Sequence, residues 1–297
     1  MNVIELIEAS SARLTEAGVC FGQGTTNAFD EAAWLVLWQL QMPLDALEEM
    51  AELAVSDAHL AEVRALVERR IRTRQPAAYL TGEAWLQGVP FTVDARCIIP
   101  RSLIAEPLAD GAIDAWLSER TRDVLDLCTG NGSLAVLAAL AWPEVTVDAA
   151  DLSADALAVA QLNIDRHQLV GRVHLHRGDG LAAVAGRRYD LILCNPPYVN
   201  QASMDALPAE FRAEPTLALA GGADGMDFIR RLLRQAPQHL NPEGLLVLEI
   251  GHERPHFEAA FPTLEPVWLP TSAGDDQVLL LTHPALAALT STLPPAP

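Results

Sequence analysis

From residue 122 onward, short apolar runs alternate with longer stretches of helical character. Five of these runs have the length and the aliphatic content that are typical of buried strands. They are Val124–Leu127, Val145–Ala150, Arg172–His176, Tyr189–Cys194 and Gly244–Ile250. Strands that are joined by helices lie parallel, and the helices then cover both faces of the sheet. We therefore predict an α/β, Rossmann-like fold that binds its ligand beyond the carboxyl ends of the strands.

The part of the chain before this sheet predicts a smaller helical domain over residues 1–74. Apolar residues recur there at helical spacing, as Ile4, Ile7 and Leu14 show. Asp57 is placed to cap the last of these helices, because a short acidic side chain can accept hydrogen bonds from a helix start. The helical periodicity ends before Pro76.

The rest of the chain divides into a linker, a sheet domain and a tail. Residues 75–98 are predicted to form a linker that contains a β-hairpin. Residues 99–283 hold the sheet, whose last two strands, near 267–268 and 277–281, predict an antiparallel finish. Residues 284–297 end in a proline-rich sequence, and we expect them to form a disordered tail.

The charge of the chain restricts its partners. The formal net charge is -19 and the isoelectric point is near 4.7. A nucleic-acid backbone is bound by Lys and Arg that displace counterions, so this composition opposes a nucleic-acid partner. An acidic protein suits a basic protein partner better.

The sequence also indicates the compartment and the state of the cysteines. No apolar stretch approaches the roughly 18 residues that a bilayer span needs, and the first residues are acidic where a signal peptide is basic. We therefore expect a cytoplasmic protein. The four cysteines show no Cys-x-x-Cys pairing, which argues against a disulfide framework or a metal site.

The first strand of the sheet runs into a glycine-containing turn at residues 126–133. Glycine lets the backbone approach a ligand with no side chain between them, and the helix that follows offers its amide dipoles. A nucleotide-like cofactor is the expected ligand. The contacts are expected from Asp126, Cys128, Thr129, Gly130, Asn131 and Gly132.

Two cofactors compete for this turn. The pattern G-x-G-x-x-A over residues 130–135 also fits the dinucleotide fingerprint. Asp126 favours S-adenosylmethionine, because an acid at the strand end can pair with the ammonium of an amino-acid moiety, which NAD lacks. A structural turn or cap role for Asp126 is the alternative.

Two further acids are expected to reach the cofactor. Asp151 ends the second strand and can accept hydrogen bonds from both ribose hydroxyls, next to Leu152. Asp148 is its rival, but Asp148 lies within the strand. Asp179, followed by Gly180, closes the third strand and could reach the adenine amino group, although an Asp-Gly pair is also an ordinary turn.

These elements, with Asn-Pro-Pro-Tyr at residues 195–198, resemble a class I S-adenosylmethionine-dependent methyltransferase in their order and spacing. Three further segments, Pro76–Trp85, Ile99–Ser102 and Glu214–Gly225, resemble the HemK-type protein-glutamine methyltransferases. The likeness covers residues 60 to 282. It implies a protein acceptor from the translation apparatus that the helical part recognises.

The sequence departs from the family pattern at Cys128, where many methyltransferases carry glycine. The Pro-Arg element continues as Ser102-Leu103, whereas enzymes that act on release factors continue it with Pro-Glu-Thr. The element is similar to the branch that modifies ribosomal protein L-three, although that branch carries proline at the position of Leu103. The resemblance therefore implies ribosomal protein L-three as the first acceptor and a release factor as the second.

The Asn-Pro-Pro-Tyr corner, residues Asn195, Pro196, Pro197 and Tyr198, suits an amide nitrogen as acceptor. An amide nitrogen is a poor nucleophile because its lone pair is delocalised, and two acceptors for its N–H hydrogens favour pyramidalisation. The Asn195 side-chain oxygen and the Pro196 carbonyl can be those acceptors, since proline lacks an N–H and restricts the backbone. Tyr198 can pack against the amide plane, and Asn195 is also expected to contact the cofactor.

Two short motifs also fit other functions. The same corner also resembles the motif of adenine-specific nucleic-acid methyltransferases, which must extract a base and grip phosphates, and the net charge opposes this. The segment His252–His256 matches the zinc pattern H-E-x-x-H, but Pro255 would lie inside the required helix. We expect a loop there and no metal.

Overall fold

A computed structural model describes residues 1–292 of the 297-residue chain. Four helices build the helical region: α1 (Val3–Glu16), α2 (Ala28–Gln39), α3 (Leu47–Met50) and α4 (Asp57–Thr73). The helices α1, α2 and α4 enclose an apolar core of their own, because their buried faces carry Leu, Ile and Val at helical spacing. None of the helices within residues 1–292 is long and apolar enough to span a bilayer.

The expected cap of α4 is wrong by one residue. Ser56 is the capping residue, since its backbone is extended and its side-chain oxygen accepts a hydrogen bond from the His59 N–H at 3.3 Å. Asp57 is the first helical residue instead. Its negative charge still favours the positive end of the helix dipole.

A hairpin follows the helical region, as predicted. After α5 (Ala77–Thr81), the strands β1 (Glu83–Leu86) and β2 (Val89–Thr92) pair antiparallel. Gln87 and Gly88 both have positive φ angles, which is the turn geometry that matches the twist of a hairpin. A short helix, α6 (Ala105–Ala109), follows the hairpin.

The predicted sheet is confirmed, with seven strands. They are β3 (Asp123–Leu127), β4 (Thr146–Asp151), β5 (Val173–Arg177), β6 (Tyr189–Cys194), β7 (Leu240–Glu249), β8 (Val267–Thr271) and β9 (Gly274–Thr282). Their order is β5-β4-β3-β6-β7-β9-β8. The strands from β5 to β7 are parallel, and β9 runs antiparallel to both β7 and β8. The chain changes its direction of winding between β3 and β6, so a crevice opens at their carboxyl ends.

Helices cover both faces of this sheet, because alternate strand residues point to opposite sides. Val124 packs in the core shared with α7 (Ser133–Ala141) and α8 (Ala154–Arg166). Leu125 packs in the opposite core, with α10 (Asp227–His239) and α12 (His283–Thr292). Two shorter helices, α9 (Gln201–Asp205) and α11 (Arg254–Ala260), lie in the connections. The hairpin docks on α8, where the Asn163 side chain bonds both the N–H and the carbonyl of Thr92, at 2.7 and 3.0 Å.

Two expectations near the end of the chain are wrong. Residues 284–292 belong to α12 rather than to a disordered tail, since Leu286 is fully buried against the second core. The remainder of the expected tail, residues 293–297, lies outside the described residues. The segment His252–His256 is also not a plain loop, because α11 begins at Arg254 with Pro255 in its first turn, where proline is tolerated.

A buried ion network joins the helical region to the sheet domain. Arg70 of α4 is only 1% exposed, and its Nε donates to Glu31 at 2.8 Å. Its Nη1 lies 3.7 Å from an oxygen of Glu210, which also accepts a hydrogen bond from Arg74 at 3.2 Å. Glu210 belongs to the connecting segment, residues 199–220, which leaves the Asn-Pro-Pro-Tyr corner. The network therefore fixes the helical region against the part of the chain that follows this corner.

We expect Arg70→Leu to lower the free energy of unfolding by about 3 to 5 kcal/mol, because it leaves the buried carboxylate of Glu31 without its cation, while Glu210 keeps Arg74. Urea denaturation checks this value. The control is Arg69→Leu, an exposed position on the same helix that should change stability by less than about 0.5 kcal/mol. Equal effects of the two variants would contradict the network's role.

Candidate active site

One cavity of about 930 Å³ lies at the carboxyl ends of the parallel strands. This volume is at the upper end of the range of small-molecule sites. The cavity brings together every predicted cofactor and corner residue except Gly132. They are Asp126, Cys128, Thr129, Gly130, Asn131, Asp151, Leu152, Asp179, Gly180, Asn195, Pro196, Pro197 and Tyr198.

The glycine-containing turn follows a left-handed path. Cys128, Gly130 and Gly132 have φ angles of 63°, 56° and 82°. Cys128 therefore adopts the turn that glycine favours, at a conformational cost of about 1 kcal/mol. Gly132 is the capping residue before α7. It lies against α8 instead of facing the cavity, since a Cβ there would be 3.2 Å from that of Ala160. Its role is the close packing of these two helices.

Asp126 is a buried acid at the end of β3. Thr129 Oγ1 and the Ala135 N–H both donate to its Oδ2, at 2.5 and 2.9 Å, so these bonds hold the turn together. The other oxygen keeps its capacity as an acceptor. Burial raises the pKa of Asp126 to about 7, because the charged carboxylate has lost its water. Within residues 1–292 it forms no ion pair, so a cation in the cavity would favour its ionised form.

Asp151 and Asp148 have different surroundings. Asp151 accepts hydrogen bonds from the N–H groups of Gly130 and Ser153, at 2.9 and 2.8 Å, and it lines the cavity. Asp148 instead bonds Tyr189, along with His176 and Arg187, inside the sheet. Its acceptor oxygens are thus used for folding. This placement supports Asp151 as the ribose ligand.

Asp179 forms an ion pair that the sequence did not predict. Arg231 of α10 donates to its two carboxylate oxygens, at 2.8 and 3.2 Å, and this lowers the pKa of Asp179. The Arg231 guanidinium also lies over the Phe228 ring, 5.4 Å from its centre. Phe228 and Arg231 line the cavity, but no local sequence signal marks them, because α10 reaches this edge only after folding.

The Asn-Pro-Pro-Tyr corner follows β6 and borders the same cavity. Among the described residues, neither the Asn195 side chain nor the Pro196 carbonyl receives a hydrogen bond, so both acceptors are available to a ligand. Tyr198 donates its hydroxyl to Glu249 at 2.9 Å. Burial and the nearby Glu249 charge hold the pKa of Tyr198 well above its usual value, so the hydroxyl stays protonated.

The Pro-Arg loop, residues 99–102, borders the cavity and contacts the connecting segment. Arg101 pairs with both carboxylate oxygens of Glu214, each at 2.6 Å. The Ile99 N–H also donates to Glu214, at 3.3 Å. A carboxylate that is bound in this two-pronged way has a fixed orientation, so the loop and the segment hold each other in place.

Comparison with known proteins identifies the family. A family model described as "Methyltransferase small domain" matches residues 113–222. The ribosomal protein uL3 glutamine methyltransferase of Bordetella pertussis is 53% identical over 284 residues, which are 95% of both chains. The enzyme of the same name from Burkholderia pseudomallei is 50% identical and covers 97% of this chain and 96% of its own. The chain belongs to the ribosomal protein uL3 glutamine methyltransferase family.

This family membership confirms the prediction of an S-adenosylmethionine-dependent methyltransferase of the glutamine-modifying type. A solved structure of the hMettl16 catalytic domain, in complex with an RNA hairpin, is similar with a TM-score of 0.51. It is 13% identical and covers 77% of this chain and 82% of its own, so it supports the class I fold alone. The cavity fits the cofactor, because it offers a buried carboxylate without a cation and a second acid beside the glycine turn.

The raised pKa of Asp126 predicts that cofactor affinity depends on pH. An ammonium group pairs with the ionised carboxylate of Asp126. Below pH 7 this carboxylate is mostly protonated, so it must lose its proton when the cofactor binds. Affinity for S-adenosylhomocysteine should therefore fall about tenfold per pH unit below 7 and stay level above it. Isothermal titration calorimetry from pH 5.5 to 8 measures this slope.

Two variants test the origin of this slope. Asp126→Asn should remove it, and the amide oxygen can still accept both bonds that now reach Oδ2. Asp179→Asn is the control in the same cavity, and it should leave the slope unchanged, since the pKa of Asp179 is already lowered by Arg231. A wild-type affinity that is flat below pH 7 would exclude Asp126 as the ammonium ligand.

Proposed function

We propose that this protein transfers a methyl group from S-adenosylmethionine to the side-chain amide nitrogen of a glutamine in ribosomal protein uL3. The observation that carries the proposal is the pair of free acceptors at the corner, the Asn195 side-chain oxygen and the Pro196 carbonyl. They border the same cavity as Asp126 and Asp151. Donor and acceptor groups can therefore meet in one place.

An amide acceptor explains why the corner has this composition. The nitrogen becomes nucleophilic only when its lone pair leaves conjugation with the carbonyl, and hydrogen bonds from both N–H groups favour that geometry. A single acceptor would leave the nitrogen free to stay planar. Asn195 and Pro196 offer two acceptors from adjacent residues, and neither is used elsewhere in the described chain.

The prolines make this arrangement stiff. Each has a restricted φ angle and no N–H, so the backbone of the corner has little freedom and no local donor that competes for the acceptors. Tyr198 closes the corner with its ring. Catalysis then depends on orientation, which is effective only when the groups are held before the acceptor arrives.

The cofactor supplies an electrophilic methyl group on a positively charged sulfur. The residues around it bind and orient it: Asp126 would hold the ammonium, Asp151 the ribose and Asp179 the adenine amino group. Arg231 shares Asp179 in an exposed pair, which is weak enough for a ligand to displace. No strong base is required, since the methylated nitrogen is acidic and its proton passes to water.

The acceptor assignment rests on the relatives and on charge. The relatives are named for ribosomal protein uL3, and a basic ribosomal protein is attracted to a chain with a net charge of -19. A ribosomal protein as acceptor supports a cytoplasmic location for this activity. Release factors are the second candidate acceptor. A nucleic-acid base is disfavoured by the same charge.

An acceptor assay tests the proposed substrate. Purified enzyme receives cofactor with a labelled methyl group, together with uL3, a release factor or RNA in separate reactions. We expect label on uL3, at a glutamine that mass spectrometry identifies. Label on the release factor alone would move the assignment to the second candidate, and label on a base would reject protein methylation.

The corner itself is tested by Asn195→Ala. Removing one of two acceptors should lower kcat by at least about a hundredfold, because the interaction strengthens as the nitrogen pyramidalises. Affinity for S-adenosylhomocysteine should change by less than about threefold. The control Asn241→Ala removes the same residue type at the amino-terminal start of β7, on the opposite edge of the sheet, and should keep the wild-type rate. Near-normal turnover by Asn195→Ala would refute the role.

A further inference from the structure

Glu249 is a buried carboxylate with no assigned role in the proposed methyl transfer. It ends β7 and is 2% exposed. Three donors reach it: the Tyr198 hydroxyl at 2.9 Å, Ser102 Oγ at 2.6 Å and the Leu103 N–H at 2.9 Å. A carboxylate in the interior is costly unless such bonds compensate for its lost water. Its retention here, at the cavity wall, calls for a function.

The three bonds join two segments that border the cavity. Ser102 ends the Pro-Arg loop and Leu103 follows it, whereas Tyr198 ends the Asn-Pro-Pro-Tyr corner. One oxygen of Glu249 holds the loop and the other holds Tyr198. The carboxylate therefore fixes the position of the tyrosine relative to the Pro-Arg loop.

The backbone around Tyr198 already restricts its ring. A Cβ at Gly251 would lie 2.4 Å from the ring, and a Cβ at Gly225 would lie 2.2 Å from the Tyr198 carbonyl oxygen. The ring thus rests on bare backbone that only glycine provides. These contacts limit how the ring can move against the backbone. They do not fix the hydroxyl group, which donates its hydrogen bond to Glu249.

We propose that Glu249 is a positioning residue for methyl transfer, which orients the Tyr198 ring through its hydroxyl so that the ring packs on the acceptor amide. This inference rests on the proposed function. The negative charge of Glu249 also favours the reaction, because a hydrogen-bonded phenol is richer in electrons and its ring face attracts the cationic centre. Glu249 itself touches neither reacting atom.

The pattern of donors shows why glutamine would not replace Glu249. All three partners can donate a hydrogen, and the Leu103 N–H can only donate. A carboxylate accepts on both oxygens. The amide oxygen of glutamine would therefore face Leu103, and its NH₂ group would face the Tyr198 hydroxyl, which could no longer donate its hydrogen bond there.

Steady-state kinetics with Glu249→Gln, Tyr198→Phe and the double variant test the proposal. Each single variant should lower kcat by at least about tenfold, while the affinity for S-adenosylhomocysteine stays within about twofold. Because Glu249 acts through Tyr198, the double variant should be no slower than the slower single one. A decrease in the kcat of the double variant equal to the product of the two single decreases would overturn the proposal.

The control variant is Ser102→Ala, which removes one donor to Glu249 and leaves the Tyr198 contact in place. It should lower kcat by less than about threefold. A loss as large as that of Glu249→Gln would mean that the carboxylate serves the Pro-Arg loop only, and the proposal would fail.

A measurement without turnover gives a second test, because the chain contains only three tyrosines. In protein with ¹³C-labelled tyrosine rings, the Tyr198 signals are those that Tyr198→Phe removes. Glu249→Gln should shift them and leave the signals of Tyr79 and Tyr189 in place, which also shows that the fold is intact. Unchanged Tyr198 signals would overturn the proposal.

The two hypotheses can fail separately. A wild-type enzyme that methylates no glutamine rejects the proposed function, whatever the tyrosine signals show. A wild-type enzyme that methylates glutamine, combined with a Glu249→Gln variant of full kcat, rejects the positioning role alone.

Discussion

The pairing of β3 with β6 is the constraint on which the site depends. These parallel strands lie side by side in register, with Leu127 beside Cys194, so both end at the same edge of the sheet. The glycine-containing turn leaves the first strand there and the Asn-Pro-Pro-Tyr corner leaves the second. A shift of one residue would turn every side chain of one strand to the other face and separate the two loops. The proposed cofactor residues and the proposed amide acceptors are neighbours because this register is buried on both faces and therefore fixed.

Acids at the strand ends use that constraint in different ways. Asp126 lies one residue before the end of β3, and Asp151 and Glu249 end β4 and β7. Each of the three accepts two or more hydrogen bonds from segments near the cavity. Burial raises the pKa of all three. Their hydrogen bonds hold the glycine-containing turn, the start of α8 and the Asn-Pro-Pro-Tyr corner in place. Because burial disfavours their charged forms, a cationic ligand in the cavity would be favoured as a partner.

The sequence predicts the local parts of this site and misses the contacts between distant segments. The strands, the glycine turn and the corner were predictable, since their residue types dictate backbone geometry within a few positions. Phe228, Arg231 and Glu249 were not, because each reaches the cavity from an element far along the chain. An acid at the end of β7 was the one available signal for Glu249. The prediction for residues 284–292 is wrong for the same reason: the prolines after them suggest disorder, whereas Leu286 packs into a core that is formed by elements distant in the chain.

The connecting segment extends this argument to acceptor recognition. Glu210 and Glu214 stand four residues apart in it, and arginines from two other parts of the chain hold them: Arg74 from the end of α4 and Arg101 from the Pro-Arg loop. Both carboxylates are buried, so these contacts are screened far less than surface ion pairs. If the helical region binds the acceptor protein, as the family resemblance implies, its position relative to Asn195 is set by these contacts rather than by a flexible linker. The acceptor glutamine would then reach a corner whose orientation is fixed before binding, which is the condition under which positioning lowers a reaction barrier.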